Sequence, residues 1–593
     1  MLERILNIFD LSAAGYIKKW TILGTLIGIV AGLGSIVFYS AIKLTTKLML
    51  GLGAGYIPPV PASEGPTLLP VIARPWMIPL ITGIGGLISG LIVYKFAPEA
   101  EGHGTDAAID AFHNKRGFIR RRIPFVKLIA SAITIGSGGS AGREGPTAQI
   151  AAGAGSVLAD IFKLSAHDRR IAMAVGIGAG IGSIFKAPLG GAILSAEILY
   201  RRDFEAEALV PSFIASVIGY SIFSMWSGWT PIFGTGSISP FHRPQELLSY
   251  AILGIVCGLV GAAYGRTFYA IRDLFKKMNL PNWSKPALGG LLVGIIGMFL
   301  PQILGMGYGW LQFAINGNFT VLPVGVMAGV MIAKILATGL SIGSGGSGGV
   351  FAPGLVIGGM AGAIVWSLLH QFTSITPATP TSFVVVGMMA LFGGIAKAPV
   401  AVILMVTEMT AGYSLLPPSM LTSAIAYLVA GKSFIYESQV TNRAESPAHR
   451  PEYSVPLLQR LKVKEAMNPR VITVSRSTSL GEVAAILKSY NIDATPVVEN
   501  GRLVGIVATL DIMKTPPDKR AETPVHQVMS QNLVVSYPDE SLEEAMIKMA
   551  QKDISHLPVV EPNNPQHLIG ILTLDDIMRL HSLEVENISN NYK

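Results

Sequence analysis

The sequence predicts a polytopic membrane bundle of α-helices assembled from two copies of one unit, followed by a water-soluble α/β domain that is itself duplicated. Three observations carry that expectation. Of 593 residues, 50% are hydrophobic and only 14% are charged, against about 25% charged in an ordinary soluble protein. Long apolar stretches recur from about residue 20 to 436 and then stop, whereas 456–593 is dense in Lys, Arg, Asp and Glu. Ordered motifs recur within each part.

Charge is confined in the first part. Between Pro323 and Met409 the charged side chains are Lys334, Lys397 and Glu408. The 66 glycines amount to roughly 11% where about 7% is usual, and small residues let helices approach closely in lipid. A net charge of +8 raises nucleic acid as a partner. The basic residues instead form short clusters beside apolar runs (Lys18-Lys19, Arg120–Arg122, Arg169-Arg170, Arg201-Arg202), which the positive-inside rule explains, so no nucleic-acid partner is expected. The single cysteine, Cys257, excludes an intrachain disulfide framework, and residues 1–20 lack the pattern of a cleavable signal peptide.

GSGGS at 136–140 recurs at 343–347, an offset of 207 that places Pro353 on Pro146 and Phe351 on Glu144. KAPLGGAILSAE (186–197) recurs as KAPVAVILMVTE (397–408), offset 211. Transporters are often built from two such halves with inverted topology, their sites lying where interrupted helices of both halves meet. The expected layout is a membrane domain over 1–440 with halves of about 80–240 and 250–440, then a linker over 441–456. Modules over 457–518 and 519–584 and a tail over 585–593 follow. In the modules Met467 pairs with Met529, Pro496 with Pro558 and Asp511 with Asp576; an amphipathic helix (near 479–490 and 541–552) precedes a β-rich segment in each.

Three Gly-rich stretches, 101–112, 136–146 and 343–353, each lead into a segment able to start a helix. Helix N-termini bring free N–H groups and about half a positive charge to an anion. Such partial charges offset dehydration yet still permit release, whereas a full Lys or Arg in the path would hold an anion too long. Glu144, set among uncharged small residues beside Arg143, would compete with the anion for those amides and so reads as a gate; a structural Glu144–Arg143 pair or an interfacial Glu is the alternative.

Residues 20–440 resemble the CLC family of chloride channels and chloride/proton exchangers. The resemblance rests on GREGP (142–146), GGVFAP (348–353), FKAPLGGAILSAE (185–197) and Tyr436 in SFIYESQ, all in family order. It implies a multi-pass protein of the lipid bilayer, in the plasma (inner) membrane, forming a homodimer with one pore per subunit. It also implies chloride or a similar anion as cargo and Glu144 as the external gating residue. The amides of Val350 and Phe351 and the Tyr436 hydroxyl would face the anion, with His103, Gly104, Arg143 and Gly145 alongside.

Two departures qualify the resemblance. Where the family's first motif reads GSGxP, this chain has Gly102-His103-Gly104-Thr105-Asp106. His103 can donate to an anion, Asp106 can repel one, and a capping role for both is the alternative. Where proton-coupled members carry two consecutive glutamates, this chain has Glu197-Ile198. Ile198 replaces the expected proton-passing Glu, so channel-like transport is expected, with a chloride/proton exchanger or a carrier of nitrate or fluoride as alternatives. Glu197 reads as a packing or vestibule carboxylate. Lys127 would either add positive potential or snorkel to the interface.

The last part resembles a tandem pair of CBS modules. Such pairs often hold adenosine nucleotides (ATP, ADP or AMP) through a GIxTxxD pattern, present as Gly570, Thr573 and Asp576; in the first copy Ala508 stands where Thr is expected, leaving Asp511. One nucleotide site at most is expected, with no required cofactor, and a purely structural dimerisation module is the alternative. The modules would face the cytoplasm. Enzyme chemistry is not expected: no HExxH metal motif occurs, and AGKS at 430–433 has Ala426 where a phosphate-binding loop needs its first glycine.

Overall fold

The structure is a computed structural model and describes residues 15–236, 238–372, 375–449 and 457–590. It divides into two units, 1–449 and 450–593.

The first unit is helical. Its helices are α1 (Tyr16–Thr46), α2 (Ile78–Phe96), α3 (Thr105–Asn114), α4 (Ile123–Gly136), α5 (Glu144–Ile161), α6 (Ala166–Ile184), α7 (Pro188–Glu197) and α8 (Leu209–Ser227). Then come α9 (Glu246–Lys277), α10 (Lys285–Phe299), α11 (Tyr308–Ile315), α12 (Val324–Thr338), α13 (Phe351–Leu369), α14 (Thr381–Ala396), α15 (Pro399–Thr410) and α16 (Leu416–Ala430). Seven helical stretches among the described residues are long and apolar enough to cross a membrane, and α4, α14 and α15 are shorter apolar helices. Every residue of α14 is buried, as expected of a helix hydrophobic all round at the centre of a bundle.

The two halves exchange identical contacts. Gly142 and Gly349, equivalent at the 207-residue offset, donate their amides to each other's carbonyls, both at 2.8 Å. Lys127 Nζ donates to the carbonyls of Ala100 (3.0 Å) and Gly102 (2.7 Å), and Lys334 Nζ to those of Ile303 (2.8 Å) and Gly305 (2.7 Å). Reciprocal bonds between equivalent residues require a local two-fold relation, as in inverted-topology repeats.

The repeat also begins earlier than residue 80. Helix α1 packs on α8 as α9 packs on α16. A Cβ on Gly28 would lie 2.5 Å from the Ala215 carbonyl oxygen, and one on Gly258 2.9 Å from that of Ala426. Small residues four apart (Gly24 and Gly28; Gly254 and Gly258) let both pairs approach backbone to backbone. The repeat is therefore eight helices, α1–α8 and α9–α16.

The second unit is duplicated as well. Helices α17 (Leu480–Tyr490) and α18 (Leu542–Lys552) each start at a capping box, Ser479 with Glu482 and Ser541 with Glu544, and each ends on a left-handed residue, Asn491 or Asp553. Each leads to an antiparallel hairpin, β1 (Ala494–Glu499) with β2 (Arg502–Ala508) and β3 (His556–Glu561) with β4 (Asn564–Thr573), with register shifts at the equivalent Val497/Val498 and Val559/Val560. Helix α19 (Leu574–Asn590) closes the described chain. The lead-in of each module pairs with the strand of the other: Asn468 exchanges backbone bonds with Ile571, and Ser530 with Ile506. The modules are thereby interlocked rather than strung in series.

Candidate anion pathway

The three Gly-rich segments converge. Gly102 N donates to Gly346 O (2.9 Å) and Gly348 N to Gly102 O (3.2 Å), while Gly142 and Gly349 pair as above. The GSGGS turns need glycine at φ near +103° (Gly138) and +102° (Gly345), a region that side-chain-bearing residues avoid. Beyond these turns α5 begins at Glu144 and α13 at Phe351. Helix α3 joins them: a Cβ on Gly145 would lie only 1.8 Å from the His103 carbonyl oxygen and 3.2 Å from Gly349 Cα. Three helix N-termini thus share one small region, with Gly104, Gly145 and Val350 packed among them.

Glu144 occupies that region. It is 2% exposed, and its Oε1 accepts the Phe351 amide at 2.5 Å. Its Oε2 is buried without a hydrogen-bond partner among the described residues. A carboxylate at a helix N-terminus is favoured by the dipole and the free amides, the same features that hold a free anion. The Tyr264 hydroxyl donates to Val350 O at 2.9 Å and fixes the start of α13. The Tyr436 ring lies 5.4 Å from the His103 ring just before α3 and 6.4 Å from that of Phe392. Tyr436 lies six residues beyond the end of α16 rather than within the helix. The Phe351 ring packs between Phe185 and Phe392, at centroid separations of 5.4 and 4.6 Å.

Arg143 does not pair with Glu144. Its Nη1 bonds Glu64 Oε1 at 3.0 Å, and its guanidinium lies 5.1 to 5.7 Å from the ring centroids of Tyr39, Phe185 and Tyr308. The expected anion-binding guanidinium therefore lines a separate cavity of about 220 Å³ with Lys43, Glu64 and Lys186. Lys127 does not snorkel: it is fully buried, held by two carbonyls. Asp106 turns from the helix axis to accept both the amide (2.8 Å) and the hydroxyl (2.9 Å) of Ser438, tying α3 to the segment after α16. Ile198 is buried, and Glu197 accepts the amides of Val400 (3.2 Å) and Ala401 (2.6 Å) at the start of α15.

A second cavity, of about 370 Å³, is lined by His103, Asp106, Phe268, Arg272, Lys276 and Ser438 among others. The two cavities open at opposite ends of α6. Its last residue, Ile184, lines the first. Its first turns pack Arg170 against Gly117, next to Lys115 on the second cavity's rim. At 1.5 Å per residue, the 19 residues of α6 span about 28 Å, and Glu144 lies between the two.

Sequence reasoning missed Glu64 and Tyr264. Neither stands in a motif, and both act on residues 79 and 86 positions away. In the second unit, Thr573 and Asp576 line a cavity of about 410 Å³ with Arg470, Asp493 and His556. Asp511 does not line it. Its carboxylate caps its own short helix through the Ala508 amide (3.2 Å) and pairs with Lys514 (2.9 Å).

Residues 85–431 match the family described as "Voltage gated chloride channel", and 463–518 and 525–582 each match the CBS domain. The chain is 32% identical over 366 residues to the H(+)/Cl(-) exchange transporter ClcA of Salmonella agona, a match covering 59% of this chain and 75% of the relative. Among solved structures it resembles a slow cyanobacterial Cl-/H+ antiporter, with TM-score 0.62, 25% identity, and 70% of this chain and 96% of that one covered. A eukaryotic CLC transporter, at TM-score 0.55 and 20% identity, matches in fold over 95% of this chain and 98% of its own. The protein therefore belongs to the CLC family of anion transporters and carries a CBS pair behind its membrane domain.

Proposed function

We propose that the protein exchanges chloride for protons across a membrane, with Glu144 as the gate. The observation that carries this reading is the Glu144 carboxylate seated on the Phe351 amide where the starts of α3, α5 and α13 meet. An anion binding there must displace the carboxylate, and a proton on Glu144 removes the charge that competes with it. The exchange activity named for the Salmonella relative and for the cyanobacterial antiporter supports proton coupling over the channel-like transport expected from Ile198. Uncoupled chloride permeation is the second reading, favoured by that buried Ile198. Nitrate or fluoride as cargo are outcomes of the same experiment.

The second cavity faces the cytoplasm in this proposal. Lys19 pairs with Asp168, Arg120 with Glu99, Arg170 with the Ala448 carbonyl, and the Arg201 amide with the Val440 carbonyl. These contacts gather all four basic clusters, and the chain's exit from the membrane unit, at that end of α6, as the positive-inside rule asks of the cytoplasmic side. The CBS pair then lies in the cytoplasm. Glu144, Phe351, Tyr436 and His103 meet within one chain, which supports one pore per subunit, and a homodimer is the assembly proposed.

In the CBS pair the cavity holding Thr573 and Asp576 would take an adenosine nucleotide, with Arg470 as a lining cation available to its phosphates. Binding of ATP to the full-length protein, lost in Asp576→Ala, tests that assignment.

Reconstitution in liposomes with simultaneous recording of chloride and pH tests the transport reading. Protons driven uphill by a chloride gradient support exchange. Chloride flux without proton movement selects the channel, and flux of neither chloride nor other small anions refutes the pathway.

A further inference from the structure

Of Glu197, His113, Glu205, Asp106 and His103, which could pass protons to Glu144 from the cytoplasmic side, all but one are already engaged. Both oxygens of Glu197 hold amides of α15. His113 has Nδ1 on Ser446 Oγ (2.7 Å) and Nε2 on Leu199 O (2.9 Å). Glu205 is bound by Tyr200 and His449, and Asp106 by Ser438. His103 is the exception. It is 7% exposed, and its Nδ1 has no hydrogen-bond partner among the described residues. Its ring lines the second cavity and lies 5.4 Å from the Tyr436 ring and 5.9 Å from that of Phe268. Its own carbonyl rests on Gly145, the residue after the gate.

We propose that His103 passes protons between the cytoplasmic cavity and Glu144, so that protons and chloride share the inner half of the path. The inference rests on the exchange reading above. The imidazole takes up a proton that arrives from the cytoplasm through the cavity and becomes imidazolium. It gives that proton to the Glu144 carboxylate, whose Oε2 is unpartnered, and returns to neutral. The resulting carboxylic acid carries no charge and releases the Phe351 amide to the anion. Around His103 stand Lys127 from α4, Arg272 and Lys276 from α9, Asp106 and Asp110 from α3, Glu101 before α3, and Glu437 after α16. Burial first, and then the cations, oppose a charged imidazole while the Glu437 carboxylate favours it, so the proton is carried transiently rather than stored. The side chain that replaces the family's serine would thus supply the function that Ile198 cannot.

Full-length wild type, His103→Gln and His103→Ser are reconstituted, and chloride and proton fluxes are recorded together under a chloride gradient. The expected result is a ratio of proton to chloride flux reduced at least tenfold in both variants. A wild-type ratio in either variant overturns the proposal. Wild type that moves chloride without protons overturns it together with exchange, while leaving the anion pathway standing. Restoration of proton flux in His103→Gln by a second change, Ile198→Glu, supports it.

Discussion

Glu197 and Glu408, equivalent at an offset of 211, each cap the helix that carries the other. Glu197 holds the amides of Val400 and Ala401 at the start of α15, and Glu408 those of Leu189 (3.1 Å) and Gly190 (2.8 Å) at the start of α7. Each helix starts with proline after a lysine in the left-handed region, Lys186 at φ 52° and Lys397 at φ 55°, so the chain turns sharply and leaves these amides to the partner's carboxylate. The pair of caps locks the two repeats together.

Glu197→Gln and Glu408→Gln each replace a charged acceptor of two amides by a neutral one, at a cost of about 1.5–3 kcal/mol. Both variants unfold at lower temperature in detergent, Glu197→Gln more so because Glu197 is the more buried. Proton coupling is unchanged in both. A Glu197→Gln protein of normal stability that has lost proton flux would make Glu197 a relay instead of a cap.

Lys127→Met and Lys334→Met each strand two buried carbonyls, which costs about 1–3 kcal/mol per group. The stability losses are therefore similar. Their effects on anion binding differ, because Lys127 lies beneath Gly104, beside the gate, and Lys334 beneath Gly307. One unit charge at about 8 Å in an effective dielectric near 20 is worth about 2 kcal/mol, so Lys127→Met weakens chloride binding by roughly tenfold or more and Lys334→Met leaves it unchanged. Calorimetric titration with chloride distinguishes the two.

At the first cavity, which the proposed orientation places outside, Glu64→Gln releases Arg143 from its ion pair and leaves its charge to arriving anions. Half-saturating external chloride falls several-fold, and the fall shrinks as ionic strength rises. Arg143 stays in place in this variant through its three aromatic neighbours. Concentration-dependent flux measured at two salt levels checks the outcome.

His556 lines the CBS cavity. Burial pushes its imidazole below the usual value of 6.5, against the pull of Asp493, Asp575 and Asp576. Between the folded and unfolded values the unfolded chain binds more protons, so this group's contribution makes stability rise with pH through that window and fall as pH drops below about 6.5. Hydrogen-exchange protection factors of β3 amides in the full-length protein fall on acidification, and His556→Asn reduces that fall.

Much of this arrangement was legible because it is local. The starts of α5 and α13, the recurring KAP turn and the Ser–x–x–Glu caps each lie within a few residues of the glycines, prolines and serines that encode them. The partners of those elements were not legible. Glu64 meets Arg143 from an irregular loop, and Tyr264 meets Val350 from a helix whose surface carries no motif. Helix α1 escaped the repeat because it matches α9 only in the spacing of its small residues, at an offset of 230 instead of 207. Asp511 copies the form of Asp576, yet only the second copy faces a cavity beside Arg470. Side-chain direction in the tertiary fold, which no local period encodes, separates the two.

The central claim is that the Glu144 carboxylate stands in for the transported anion at the Phe351 amide. Glu144→Gln in liposomes tests it most directly: the account predicts chloride flux that persists, no longer varies with pH and moves no protons. Chloride flux that keeps its wild-type pH dependence and proton movement in that variant would contradict it.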